Sequence, residues 1–197
     1  MSSWIRRILD IIGILLFQYP EMLFSRKQEF NGIFLYSGNS IEFTVAFFVR
    51  CREALLLLKQ NDIRRYRQFV KHVGRIMGTI TYTRFLFFPR VLEVNYTEVS
   101  QSSPLSLAGI FVSETVFARF FRRLDLNSSN YQRFMDICLK EEVRFLERAT
   151  GEKMSSLEIQ RLMGTKCWTT ERQNLFMLKQ MNELWPNNRF AKWFDKE

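Results

Sequence analysis

Lys166, Thr169, Thr170, Arg172, Gln173 and Lys179 fall within one short stretch near the C-terminal end of the sequence. Arg and Gln carry donors and acceptors that match base edges, while Thr and Lys reach phosphate oxygens. Trp168 lies among them and suits either packing under a turn or lying against a nucleic-acid backbone. Upstream, Ser155 and Ser156 stand where a helix should begin, and helix N-termini present N–H groups to phosphates. The chemistry these residues suggest is non-covalent recognition of double-stranded DNA.

Three short helices are needed to position that set. The first, from Lys140, carries Val143, Phe145 and Leu146 and ends at Thr150-Gly151, where Gly accepts a left-handed C-cap. The second opens at Ser155 or Ser156, and Glu158 stands three residues after Ser155, which is the spacing of a capping box. Its apolar face is Leu157, Ile159, Leu162 and Met163, and Gly164 is expected to break it. The third begins near Thr169 or Thr170, with Glu171 in the first turn and Leu175, Met177, Leu178, Met181 and Leu184 facing inward. Helix, tight turn, helix is the outline of a helix-turn-helix, whose outer helix is free for the major groove. A plain three-helix structural unit fits the same pattern.

The stretch resembles the LuxR/GerE-type helix-turn-helix at Leu146, Gly151, Ser155, Glu158-Ile159 and Met163-Gly164. It departs from that pattern at Gln160, where the family has a small residue, and at Thr170 and Gln173 in the recognition helix. The resemblance implies an all-α DNA-binding domain over residues 127–197.

The preceding residues read as α+β. Ser2 or Ser3 caps a first helix through Phe17, crowded with Trp4, Ile5, Ile8, Leu9, Ile11, Ile12, Leu15 and Leu16. It suits packing on a domain, on a dimer partner or on a membrane surface. Met22–Phe24 reads as a strand and Arg26–Asn31 as a polar turn closed by Asn31-Gly32, a hairpin signal. Ile33–Tyr36 is the next strand. Ile41–Leu58 and Asp62–Met77 read as helices, the second basic through Arg64, Arg65, Arg67, Lys71 and Arg75. Thr79–Phe88, Arg90–Val99 and Leu105–Ser113 read as strands, and Glu114–Leu124 as a helix. Leu126–Asn130 is polar and turn-forming, so a domain boundary is expected at 126/127.

That order resembles a PAS-type sensor domain over residues 1–126. Gln18–Phe43 looks like its opening hairpin, and Val91–Thr115 like its closing one, ending in Ser113-Glu114-Thr115. The resemblance implies an antiparallel sheet with flanking helices. No cofactor is expected, with Phe34, Phe47, Phe85, Phe87, Leu107 and Phe111 filling the interior. A PAS-like domain before a LuxR-type helix-turn-helix is similar to the conjugative-transfer activators of F-like plasmids, which are cytoplasmic, dimeric and bind DNA. Homodimerisation is expected through Trp4, Ile8 and Ile12 together with Val116, Phe117 and Phe120.

Composition narrows the alternatives. The formal charge of +9 points to an acidic partner, although Lys and Arg exceed acids most strongly between Arg50 and Arg90. Cys51, Cys138 and Cys167 are odd in number and widely spaced, as free thiols in a reducing compartment are. One histidine, His72, and no CxxC pair argue against a structural zinc site and against most acid–base schemes. The run Ile11–Phe17 is too short to span a bilayer and no cleavage site follows it, so a cytoplasmic protein is expected. The alternative to a transcription regulator is a non-enzymatic adaptor that meets proteins or a membrane surface through its Phe-rich and basic helices.

Overall fold

The computed structural model describes residues 25–38, 40–80, 83–86, 90–120 and 128–165. The chain divides into two compact units, Met1–Ala108 and Gly109–Glu197.

The first unit is built on a five-stranded sheet of order β1-β2-β3-β5-β4. β1 (Arg26–Phe30) and β2 (Ile33–Ser37) form an antiparallel hairpin with Phe30 opposite Ile33. The loop between them is Asn31-Gly32, both at positive φ (50° and 81°), the two-residue turn whose twist matches the strands. β1 was expected to be a turn. Its sequence, RKQEF, hides a strand because it lies at the sheet edge, where charged side chains are tolerated and discourage further pairing.

Helix α1 (Ile41–Asn61) and helix α2 (Ile63–His72) follow, and β3 (Arg75–Thr79) returns parallel to β2. The helix expected to reach Met77 stops at Val73, because Gly74 adopts φ +70° and its N–H bonds back to Phe69. A side chain at Gly74 would be strained, and Ile76 therefore packs from a strand. β5 (Val91–Asn95) pairs parallel with β3, and β4 (Arg84–Leu86) pairs antiparallel with β5 at the other edge. Val91, Leu92 and Val94 are buried together, as expected for a strand covered on both faces.

The sheet is thus mixed. The antiparallel sheet that the PAS resemblance implied is corrected: the β2–β3 and β3–β5 pairings are parallel. A β-strand joined to a parallel neighbour needs a long crossover, and α1 with α2 supplies it. The α+β class with flanking helices stands.

The strand expected to reach Val99 ends at Asn95, whose side chain accepts from the N–H groups of Thr97 (2.7 Å) and Glu98 (3.2 Å) and starts helix α3 (Tyr96–Gln101). The strand expected over Leu105–Ser113 is instead part of helix α4 (Pro104–Phe120). Ser103 caps it, its hydroxyl accepting from the N–H of Ser106, and Pro104 occupies the first helical position, where a missing N–H costs nothing. This helix is apolar nearly all round, so it shows no polar face by which periodicity could identify it.

The second unit contains the rest of α4, then helix α5 (Ser128–Thr150) and helix α6 (Ser156–Thr165). Ser128–Asn130, read as linker, belong to α5; the boundary at 126/127 falls outside the described residues. From Gly109 onward α4 runs antiparallel to α5. The Phe117 and Phe134 rings lie 5.4 Å apart, and a Cβ on Gly109 would stand 3.2 Å from both Glu142 Cγ and Leu146 Cδ2. Glycine here permits the close approach of the two helices.

Candidate nucleic-acid interface

The end of α5 and the start of α6 are fixed by a dense local network. Phe145 and Leu146 are buried and anchor α5. Gly151 takes φ +75° just past the helix end, as expected. The Thr150 hydroxyl donates to the Leu146 carbonyl at 3.0 Å and accepts from Glu152 N–H at 3.2 Å. Glu147 reaches across the loop to accept from Met154 N–H at 3.1 Å. At Ser155 the capping box is complete: Glu158 Oε2 accepts from the N–H and hydroxyl of Ser155, and Ser155 Oγ accepts from Glu158 N–H. The loop Gly151–Ser155 is therefore held by side chains of the two flanking helices, Glu147 and Thr150 from α5 and Glu158 from α6.

The Ser155 N–H and hydroxyl are both engaged by the Glu158 carboxylate. Ser156 is exposed at the first position of α6. Leu157, expected on the inner face, is 55% exposed, and among the described side chains of this helix Ile159 and Leu162 are half-buried. α6 extends to Thr165, one residue beyond Gly164, where the break was expected. Lys166, Trp168, Thr169, Thr170, Arg172, Gln173 and Lys179 lie outside the described residues, as does Cys167.

Of the expected dimer residues, Trp4, Ile8 and Ile12 also lie outside the described residues, as does the side chain of Phe120. Val116 and Phe117 do not form an open face. They are 8% and 5% exposed in the single chain, with Phe117 against Phe134.

The basic excess of the first unit resolves into two kinds of cation. Some lie over rings of their own chain: Lys27 over Phe34 (4.0 Å), Arg52 over Phe30 (5.3 Å) and Lys59 over Tyr66 (5.7 Å). Arg65 pairs with Asp62, the residue that caps α2. Arg64, Arg67 and Lys71, at i, i+3 and i+7 on α2, are exposed together as a basic ridge. His72 ends this helix and is half-buried.

A hydroxyl cluster went unread in the sequence. Ser37 Oγ lies 2.8 Å from both Thr44 Oγ1 and Tyr96 Oη, joining β2, α1 and α3. Gly78 makes room for it, since a Cβ there would overlap the Tyr96 ring. Its members are far apart in the chain and carry no local motif. Burial pushes the Cys51 thiol up, which removes its nucleophilic form. Burial also raises the Tyr66 phenol, opposed by a side-chain hydrogen bond with Asn31, and the Tyr66 hydroxyl donates to the Asn31 carbonyl at 3.3 Å.

Phe47, Phe85, Leu107 and Phe111, expected as interior residues, are buried; Phe34 is half-buried and Phe87 lies outside the described residues. Among the described residues no helix is long and apolar enough to cross a membrane, and no three His, Cys, Asp or Glu gather as a metal set. No protein-family model, no curated protein and no solved structure matches this chain.

Proposed function

We propose that the chain is a cytoplasmic, dimeric DNA-binding transcription regulator whose output element is a LuxR-type helix-turn-helix beginning at α5. One observation carries the reading: the α5–α6 connection. A left-handed Gly151 followed by a reciprocal Ser155–Glu158 cap fixes the angle at which α6 leaves α5. That angle determines where a following helix can stand, and the residues that follow, Thr169 to Lys179, are of the types that read base edges and phosphates. The charge of +9 supports a polyanionic partner.

In this reading Arg172 and Gln173 read bases, Lys166, Thr169, Thr170 and Lys179 hold phosphates, and Trp168 packs beside the backbone. Ser156 adds a contact at the N-terminus of α6, while Ser155 serves as the cap. Activation of plasmid transfer is the role that the resemblance suggests.

The second reading, an adaptor on an anionic surface, is favoured by the exposed basic ridge of Arg64, Arg67 and Lys71. Titration with duplex DNA and with anionic vesicles at several salt concentrations separates the two. A regulator binds duplex with a steep linear fall of log affinity against log salt. Vesicle binding without duplex binding at any salt sinks the proposal.

A further inference from the structure

Several cations of the first unit find a partner in their own chain. Lys27, Arg52 and Lys59 lie over aromatic rings, and Arg50 and Arg65 pair with Glu53 and Asp62. Arg64, Arg67 and Lys71 on α2 differ. All three are exposed, and among the described residues none of them makes a salt bridge.

The row works against its own helix. Residues three and four apart are neighbours on a helix surface, so Arg64 with Arg67 and Arg67 with Lys71 are like-charge contacts. Arg64 also stands in the first turn, where a helix end is positive and where α2 carries no acid. Asp62, which caps the helix, is held by Arg65. An anion laid along the row relieves both repulsions.

The shape of the row selects the anion. From Arg64 to Lys71 the helix rises about 10 Å. Phosphates of one DNA strand follow each other about 3.4 Å apart along the axis, so the row covers about three of them. A lipid surface fits less well, because an interfacial helix sinks an apolar face beside its cations. The apolar residues Tyr66 and Phe69 of α2 are buried in the core, and Ile63, at the first residue, is its exposed large apolar side chain.

We propose that the row Arg64–Arg67–Lys71 on α2 is a second phosphate-backbone contact for duplex DNA, in addition to the helix-turn-helix. This rests on the DNA-binding reading and extends it, giving the first unit a part in holding the duplex. Contacts of this kind add affinity for every sequence alike and carry no sequence information. They also give a use to the cationic excess between Arg50 and Arg90, which lies outside the helix-turn-helix.

A salt series with the full chain and a random-sequence duplex, read by fluorescence anisotropy, tests this. The triple variant Arg64→Gln, Arg67→Gln, Lys71→Gln alters exposed side chains alone, so its thermal unfolding temperature should not fall. Its slope of log affinity against log salt should be shallower by about 2.7 for each chain bound, at about 0.9 per phosphate contact. The loss of affinity between about 50 and 200 mM salt should then shrink about fortyfold. A second triple, Arg26→Gln, Lys27→Gln, Arg50→Gln, removes the same charge from exposed positions elsewhere in the unit. It should keep the slope within about half a unit of the parent. Equal flattening by both triples would reduce the effect to net charge and overturn the proposal. An unchanged slope in the α2 triple would overturn it too; if Lys166→Ala still flattens the slope, the DNA-binding reading stands and the second contact alone falls. A parent that binds no duplex removes both. In a parallel arm with phosphatidylserine vesicles, loss of vesicle binding by the α2 triple at an unchanged duplex slope would give the row to a lipid surface and overturn the proposal.

Discussion

Glu158 holds Ser155 at two atoms: its Oε2 lies 2.8 Å from the Ser155 N–H nitrogen and 2.7 Å from the Ser155 hydroxyl. Ser155 answers by accepting from Glu158 N–H, so each residue closes the other's orphan donor at the start of α6. Ser155→Ala is expected to destabilise α6 by about 1 kcal/mol. Amide exchange over residues 156–162 should speed up while α5 keeps its protection; unchanged exchange in α6 would falsify the cap.

The Tyr96 ring fills the space that Gly78 leaves, and its hydroxyl reaches Ser37. Gly78→Ala should cost about 1–3 kcal/mol by overpacking. Tyr96→Phe should cost about 1 kcal/mol through the lost hydrogen bond. In a Tyr96→Ala background the penalty of Gly78→Ala should shrink, which a denaturant-based double-mutant cycle reads directly. A cycle with no coupling would show that the two positions do not share space.

Phe117 and Val49 make a contrast between buried and open apolar residues. Phe117→Ala should lose about 3–5 kcal/mol, because Phe134 is left beside a cavity. Val49→Ser, at an exposed position, should stay within about 0.5 kcal/mol. Chemical denaturation measures both. Equal, small effects would mean that Phe117 is not part of the interior.

The raised thiol of Cys51 sets an alkaline limit. Above the ordinary thiol pKa of about 8.5 the unfolded chain releases this proton while the native chain keeps it. Stability is therefore fully present below that pH and falls as pH rises past it, at up to about 1.4 kcal/mol per unit. Tyr66, raised in the same sense, adds to the fall at higher pH. Cys51→Ala should flatten the part of the limb between about pH 8.5 and the tyrosine range, where the unfolded thiol titrates. In the native protein Cys51 should react with a thiol reagent only as fast as the chain opens. Rapid labelling at neutral pH would contradict its burial.

On DNA, Arg172→Ala should cost about 1–3 kcal/mol on the preferred site and little on random duplex, if Arg172 reads a base. Lys166→Ala should weaken every sequence alike and reduce the salt slope by about one unit. A fluorescence anisotropy series with both variants checks this. Folded variants that bind as the parent does would remove these residues from the interface.

Features set by near neighbours were legible in the sequence. The Asn31-Gly32 turn, the left-handed Gly151 and the Ser155–Glu158 box each depend on a few adjacent residues, and each stands where its pattern put it. Ile41–Leu58 was legible as a helix, but its direction of burial was not, because both of its sides carry apolar residues. Leu105–Ser113 failed for a related reason: an apolar helix and an apolar strand look alike when no polar face marks the period. β1 was missed because an edge strand needs no apolar alternation. The parallel pairing of Leu35 with Ile76 joins residues on either side of two helices, and no local signal carries it. Within the candidate interface, the engagement of Ser155 by Glu158 was legible as a cap from the three-residue spacing.

The crossover between β2 and β3 sets an order of events for a chain emerging from the ribosome. The β1–β2 hairpin closes over two residues and can form in about 1–10 μs. The other edge of β2 must then wait until α1, α2 and β3 have all been made, a delay of seconds at ordinary synthesis rates of about 5–20 residues per second. During that interval Ile33 and Leu35 face water along an unpaired edge. The polar, charged β1 guards only one side of the nascent hairpin. The vulnerable moment for aggregation is thus built into the topology, and it ends when Ile76 arrives beside Leu35.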